Sequence, residues 1–76
     1  MFNKFFKKSK QFRVRVAEEF VRDTGIALGR LGLTANVCYN GNHEYTLTGQ
    51  WTPDYYGDRK TMEALTMLPV REAVVF

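Results

Sequence analysis

Apolar side chains return at a helical period along the first third of this chain. At about 100° per residue, Phe2, Phe5, Phe6, Phe12, Val16, Phe20, Ala27 and Leu31 gather on one side of a wheel. Lys4, Lys7, Lys8, Arg15, Glu18 and Arg22 gather on the other. Val14 and Ile26 break the pattern. A second period competes between Gln11 and Ala17, where Phe12, Val14 and Val16 alternate with Arg13 and Arg15 as they would in a strand. The longer run favours helix, which is predicted from residue 2 to about 31. Asn3 or Ser9 would cap its start, and Gly32 suits a left-handed stop. Gly25 and Gly29 weaken its second half by about 1 kcal/mol each relative to alanine, so a break near Thr24-Gly25 is the alternative.

The period then changes to two. Ala35, Val37 and Tyr39 alternate within 34–39, and Tyr45, Leu47 and Trp51 alternate within 44–51. Asn40-Gly41-Asn42 between them accepts positive φ, so the pair is predicted as a β-hairpin. Trp51 falls on the apolar face of its strand and is assigned to the core. Thr52-Pro53-Asp54 either opens a helix with proline at its first position or begins a loop, 53–57, that displays Tyr55 and Tyr56. Asp58 is predicted to cap a short helix with Met62, Leu65 and Leu68 on one face, ended by Pro69. Val70 to Phe76, rich in β-branched residues, is predicted as a third strand.

These elements describe one small α+β domain of order α-β-β-α-β. A long N-terminal amphipathic helix packs on a two- or three-stranded antiparallel sheet, and a short second helix completes it. The 76 residues leave no room for two domains, and a hydrophobic content of 45% supports a core. A helix of about 30 residues would be roughly 45 Å long. A compact chain of this size has a radius of gyration of about 11 Å. The phenylalanines at the helix start would then project beyond the hairpin, and a second copy covering them is the expected remedy.

Charge changes the picture more than composition does. Six of the eleven basic residues (Lys4, Lys7, Lys8, Lys10, Arg13 and Arg15) lie in the first fifteen positions, with no acidic residue among them. The rest of the chain sets five basic residues against eight acidic ones. An anionic partner for the N-terminal end follows. The residues expected to bind it are Phe2, Lys4, Phe5, Phe6, Lys7, Lys8, Phe12 and Arg15, joined by Tyr55 and Tyr56 as aromatic anchors. An acidic protein surface ranks first as partner, nucleic acid second and a membrane surface below both. No sequence pattern of the familiar DNA- or RNA-binding modules is present.

Catalytic equipment is sparse. His43 is the sole histidine and Cys38 the sole cysteine, one on each side of the predicted turn. A Cys–His nucleophile pair is conceivable there, but a turn histidine and a small buried thiol are the commoner readings. One Cys and one His make no zinc site within a single chain. Asp54 and Asp58 lack the further oxygen ligands of a calcium loop. No metal site, cofactor or enzymatic activity is expected. A single thiol and no apolar signal core point to the cytoplasm. The expected function is a non-enzymatic protein-binding module, with a homodimer as one expected state, that modulates or inhibits a macromolecular partner; its small size fits modulators encoded by phages or mobile elements. The second reading is nucleic-acid binding through the basic-aromatic helix.

Overall fold

The computed structural model describes residues 10–51 and 57–76. In chain order it contains β1 (Gln11–Ala17), a 3-10 turn (Glu18–Phe20), α1 (Val21–Arg30), β2 (Asn36–Gly41), β3 (Glu44–Gln50), α2 (Gly57–Thr66) and β4 (Glu72–Val75). The strands form one antiparallel sheet in the order β2-β3-β1-β4. Each helix therefore connects two strands that run parallel with another strand between them. This is the split βαβ connectivity of ferredoxin-like folds. The α+β class holds; the sheet has four strands, and the chain opens the described part with a strand.

That first strand corrects the predicted helix. Phe12, Val14 and Val16 are each 0% exposed, while Gln11 before them and Arg13 between them face out. Phe12 and Val16 fit both periods, and tertiary pairing chooses between them. β1 pairs with β3 from Gln11↔Gln50 to Ala17↔Glu44, and with β4 from Phe12↔Val75 to Arg15↔Glu72. A strand between two neighbours satisfies its backbone on both sides and buries β-branched residues that a helix would crowd. Phe12, expected on a binding surface, is instead part of the core. The 45 Å helix does not exist, and the homodimer expectation loses the ground it stood on.

α1 begins only after the 3-10 turn and runs unbroken through Gly25, so no break occurs there. Val21, Thr24, Leu28 and Leu31 form the buried or half-buried stripe that docks it on the sheet. Ile26 lies on the outer side, 49% exposed, which is why it broke the wheel. Gly32 does stop the helix, at φ 80°. The Leu33 N–H donates to the Leu28 carbonyl at 2.9 Å and the Gly32 N–H to Gly29 at 3.0 Å. These are the two bonds of a Schellman motif.

The hairpin forms close to where the alternation placed it, with its turn shifted. Asn42 (φ 55°) and His43 (φ 58°) are the central residues, and positive φ at both is what a type I′ turn requires. Gly41 precedes them at φ 90°, in a bulge after Tyr39. α2 starts at Gly57, so Asp58 sits in its first turn rather than before it, and the helix stops three residues short of Pro69. Leu65 is fully buried, with Met62 and Leu68 packed beside it, and Trp51 joins the same core at 7% exposure. Gly49 lets β3 lie close to this core. A Cβ there would stand 2.1 Å from the Thr34 carbonyl oxygen and 2.8 Å from the Phe12 ring.

Candidate binding surface

Strand alternation gives the sheet two unlike faces. One carries the core. The other carries Arg13 and Arg15 from β1, Thr46 and Thr48 from β3, Asn36 and Cys38 from β2, and Glu72 and Val74 from β4, as the paired registers require.

At the hairpin end of that face the charges are matched internally. Glu44 accepts hydrogen bonds from Asn40 Nδ2 at 3.1 Å and Arg71 Nη1 at 3.0 Å, and Arg15 Nη1 lies 3.6 Å away. Its side chain is only 16% exposed. The Asn40 amide foremost, then Arg71 and Arg15, hold its carboxyl below the ordinary value. Arg15 Nε also donates to Glu72 at 2.9 Å. Arg15, expected to meet a partner, thus has its guanidinium engaged by two carboxylates of its own chain.

The opposite end of β1 differs. Arg13 is exposed, and its guanidinium carbon stands 5.6 Å from the centre of the Phe76 ring, within cation–π range. Phe76 is 60% exposed. Its backbone exchanges two 2.8 Å hydrogen bonds with Gln11, which pins the ring beside the entry of β1. The basic N-terminal segment joins the sheet at this corner through Lys10. Phe2, Lys4, Phe5, Phe6, Lys7, Lys8, Tyr55 and Tyr56 lie outside the described residues.

The two residues with nucleophile or base chemistry are engaged separately. The Cys38 thiol is exposed, its nearest partner the Tyr39 carbonyl at 3.9 Å. The His43 ring pairs instead with Glu18, Nδ1 to Oε1 at 3.1 Å, beside a shallow depression of about 340 Å³ lined also by Ala17, Glu19 and Arg71. That pair was hidden in the sequence, because its members are far apart along the chain. The His43 side chain is 86% exposed beside that depression. A second depression, of about 510 Å³, is lined by Gln11, Thr34, Asn36, Thr48, Gly49 and Gln50, none of them ionisable. Among the described residues, no three His, Cys, Asp or Glu side chains group as a metal site. No described helix is long and apolar enough to cross a membrane.

Sequence reasoning also missed the exposure of β2. Val37 and Tyr39 lie on the core-side face of the sheet, opposite Leu47 and Tyr45, yet are 57% and 54% exposed. Tyr39 is covered in part by Tyr45, with ring centres 5.0 Å apart. No local signal marked this exposure, because the alternation of β2 is the same as that of a covered strand and its place at the rim follows from strand order.

Fold and surface together define a small α+β domain with a split βαβ core, whose polar face has one charge-matched end and one cation–aromatic corner. The chain matches no family model, and no characterised protein or solved structure shows significant similarity to it.

Proposed function

We propose that this chain is a non-enzymatic protein-binding module. It docks on an acidic protein surface through its N-terminal basic segment and the Arg13–Phe76 corner, and it modulates or inhibits the partner by covering that surface. The observation that carries the reading is the contrast between the two arginines of β1. Arg15 is engaged by Glu44 and Glu72, whereas Arg13 lies exposed against an exposed ring. Arginine and aromatic side chains are common interface anchors. Lys10 and the lysines that precede it in sequence would raise the association rate with an anionic surface.

The test is retention of binding partners on the immobilised chain, with and without nuclease, compared between the native protein and Arg13→Ala/Phe76→Ala. The expected outcome is a nuclease-resistant acidic protein whose retention falls in the double variant and in high salt. Retention that disappears entirely with nuclease would replace this reading with nucleic-acid binding, for which the same exposed cation and ring would serve phosphate and base.

A further inference from the structure

The hydrogen-bond parity of the sheet leaves one row of backbone groups with no partner strand among the described residues. Gln11 exchanges both its bonds with Phe76, beyond β4, so the odd residues of β1 point their backbone groups toward β4. Its even residues then point toward β3, as the Trp51 N–H to Lys10 carbonyl and Glu18 N–H to His43 carbonyl bonds confirm, each at 2.8 Å. The odd residues of β3 therefore face β1, and Thr46 and Thr48 face β2 at Cys38 and Asn36. What remains on β2 is Val37 and Tyr39, whose N–H and C=O groups point away from the sheet. Among the described residues β2 is the outermost strand on that side.

Edges of this kind are usually blunted by a charge, a proline or a short length. β2 has six residues, neither a charge nor a proline, and residues 36–40 are all exposed. Its bulge is confined to the hairpin end, after Tyr39. Val37 and Tyr39 extend the apolar face beyond the helices and stand open to solvent.

We propose that the β2 edge pairs with the β2 edge of a second copy, antiparallel about a two-fold axis at Cys38. This register is self-complementary. Val37 falls opposite Tyr39 of the second copy, and Tyr39 opposite its Val37, so the outward groups of both strands exchange their N–H···O bonds. A β-branched residue faces an aromatic one, a favourable cross-strand pair. Asn36 falls opposite Asn40, and no like charges are opposed. Arg13 and Arg15, which both copies would carry, lie on β1, two strands away from this edge. Cys38 meets its own counterpart in a non-hydrogen-bonded pair, where Cα atoms stand about 4.5 Å apart. That separation lies within the roughly 4.4–6.8 Å a disulfide spans. This pairing is independent of the Arg13–Phe76 corner, which lies toward the other edge of the sheet.

The full chain tests it in three measurements. Analytical ultracentrifugation should show a dimer at micromolar concentration that Val37→Lys weakens at least about tenfold, since a charge on an exposed strand residue blocks an edge without touching the core. Hydrogen exchange should show the Val37 and Tyr39 amides becoming protected as concentration rises, while the Asn36 and Cys38 amides, already bonded to β3, do not change. Diamide, which takes up the two electrons and two protons of the thiol pair, should link two native chains through Cys38. It should fail with Val37→Lys, although maleimide labels Cys38 equally in both. A native chain that stays monomeric to high micromolar concentration overturns the proposal. So does a dimer that Val37→Lys leaves intact, or one in which the Val37 and Tyr39 amides stay unprotected. A dimer protected at those amides that refuses the Cys38 disulfide overturns the register.

Discussion

β1 and β2 carry the same kind of pattern and meet opposite fates. In β1, Phe12, Val14 and Val16 alternate with polar residues and are completely buried. In β2, Val37 and Tyr39 alternate with Asn36, Cys38 and Asn40 and remain more than half exposed. Both sets point to the same face of one sheet. The difference is position, since β1 lies between β3 and β4 under the helices and β2 lies at the rim. Alternation therefore tells which way a side chain points, and strand order tells whether anything covers it.

The strongest way to break this comparison is to truncate one residue from each strand. Phe12→Ala should lower the unfolding free energy by about 3–5 kcal/mol, the cost of emptying a fully packed aromatic site. Val37→Ala should stay within about 0.5 kcal/mol when measured at concentrations low enough to keep the chain monomeric. Urea unfolding followed by Trp51 fluorescence reads both. A large loss from Val37→Ala under those conditions would mean that β2 is covered within a single chain.

Gly49 probes the strand the two share. The nearest atom to an added Cβ is a backbone oxygen, and the next belongs to the buried Phe12 ring. Neither can move far, so Gly49→Ala should cost about 1–3 kcal/mol by overpacking, with the loss visible in the same urea midpoint. An unchanged midpoint would show that β3 can shift relative to β1 without penalty.

How much of this was readable in the residues follows the same division between local and distant causes. Gly32, Asn42 and the alternations around them are local signals, and the helix stop and hairpin appeared close to their predicted places. Trp51 and Leu65 went to the core as their periodicity implied. β1 was misread because Phe12 and Val16 satisfy a helical wheel as well as a strand. Val14 was the residue that fitted only the strand. The deciding partners, Gln50 and Val75, lie far along the chain. The basic character of the N-terminal end was plain, but not that Arg15 would be engaged by Glu44 and Glu72 while Arg13 stayed exposed. Charge matching of that kind depends on register, which no local pattern specifies.

The smallest expected effect sharpens the comparison on the polar face. Glu44 begins β3 and joins Asn40 of β2 to Arg71 before β4, with Arg15 of β1 alongside. Its folded state favours ionisation, through the Asn40 amide first and the arginines after it. A carboxyl with a lowered folded pKa stabilises the fold fully above its unfolded value, about 4.3 for glutamate, and loses that contribution as pH falls through the lower folded value. Glu44→Gln should therefore reduce the urea midpoint slightly at neutral pH. The gap from the native protein should hold constant down to the carboxylate range and close in stronger acid. Asn40→Ala should reproduce part of the loss with the same pH dependence, because it removes the largest of the three causes while leaving both arginines in place. High salt should narrow the gap of Glu44→Gln more than that of Asn40→Ala, since a hydrogen bond is screened less than a charge pair at the surface. A gap that persists unchanged in strong acid would show that Glu44 acts by packing between the strands rather than by its charge.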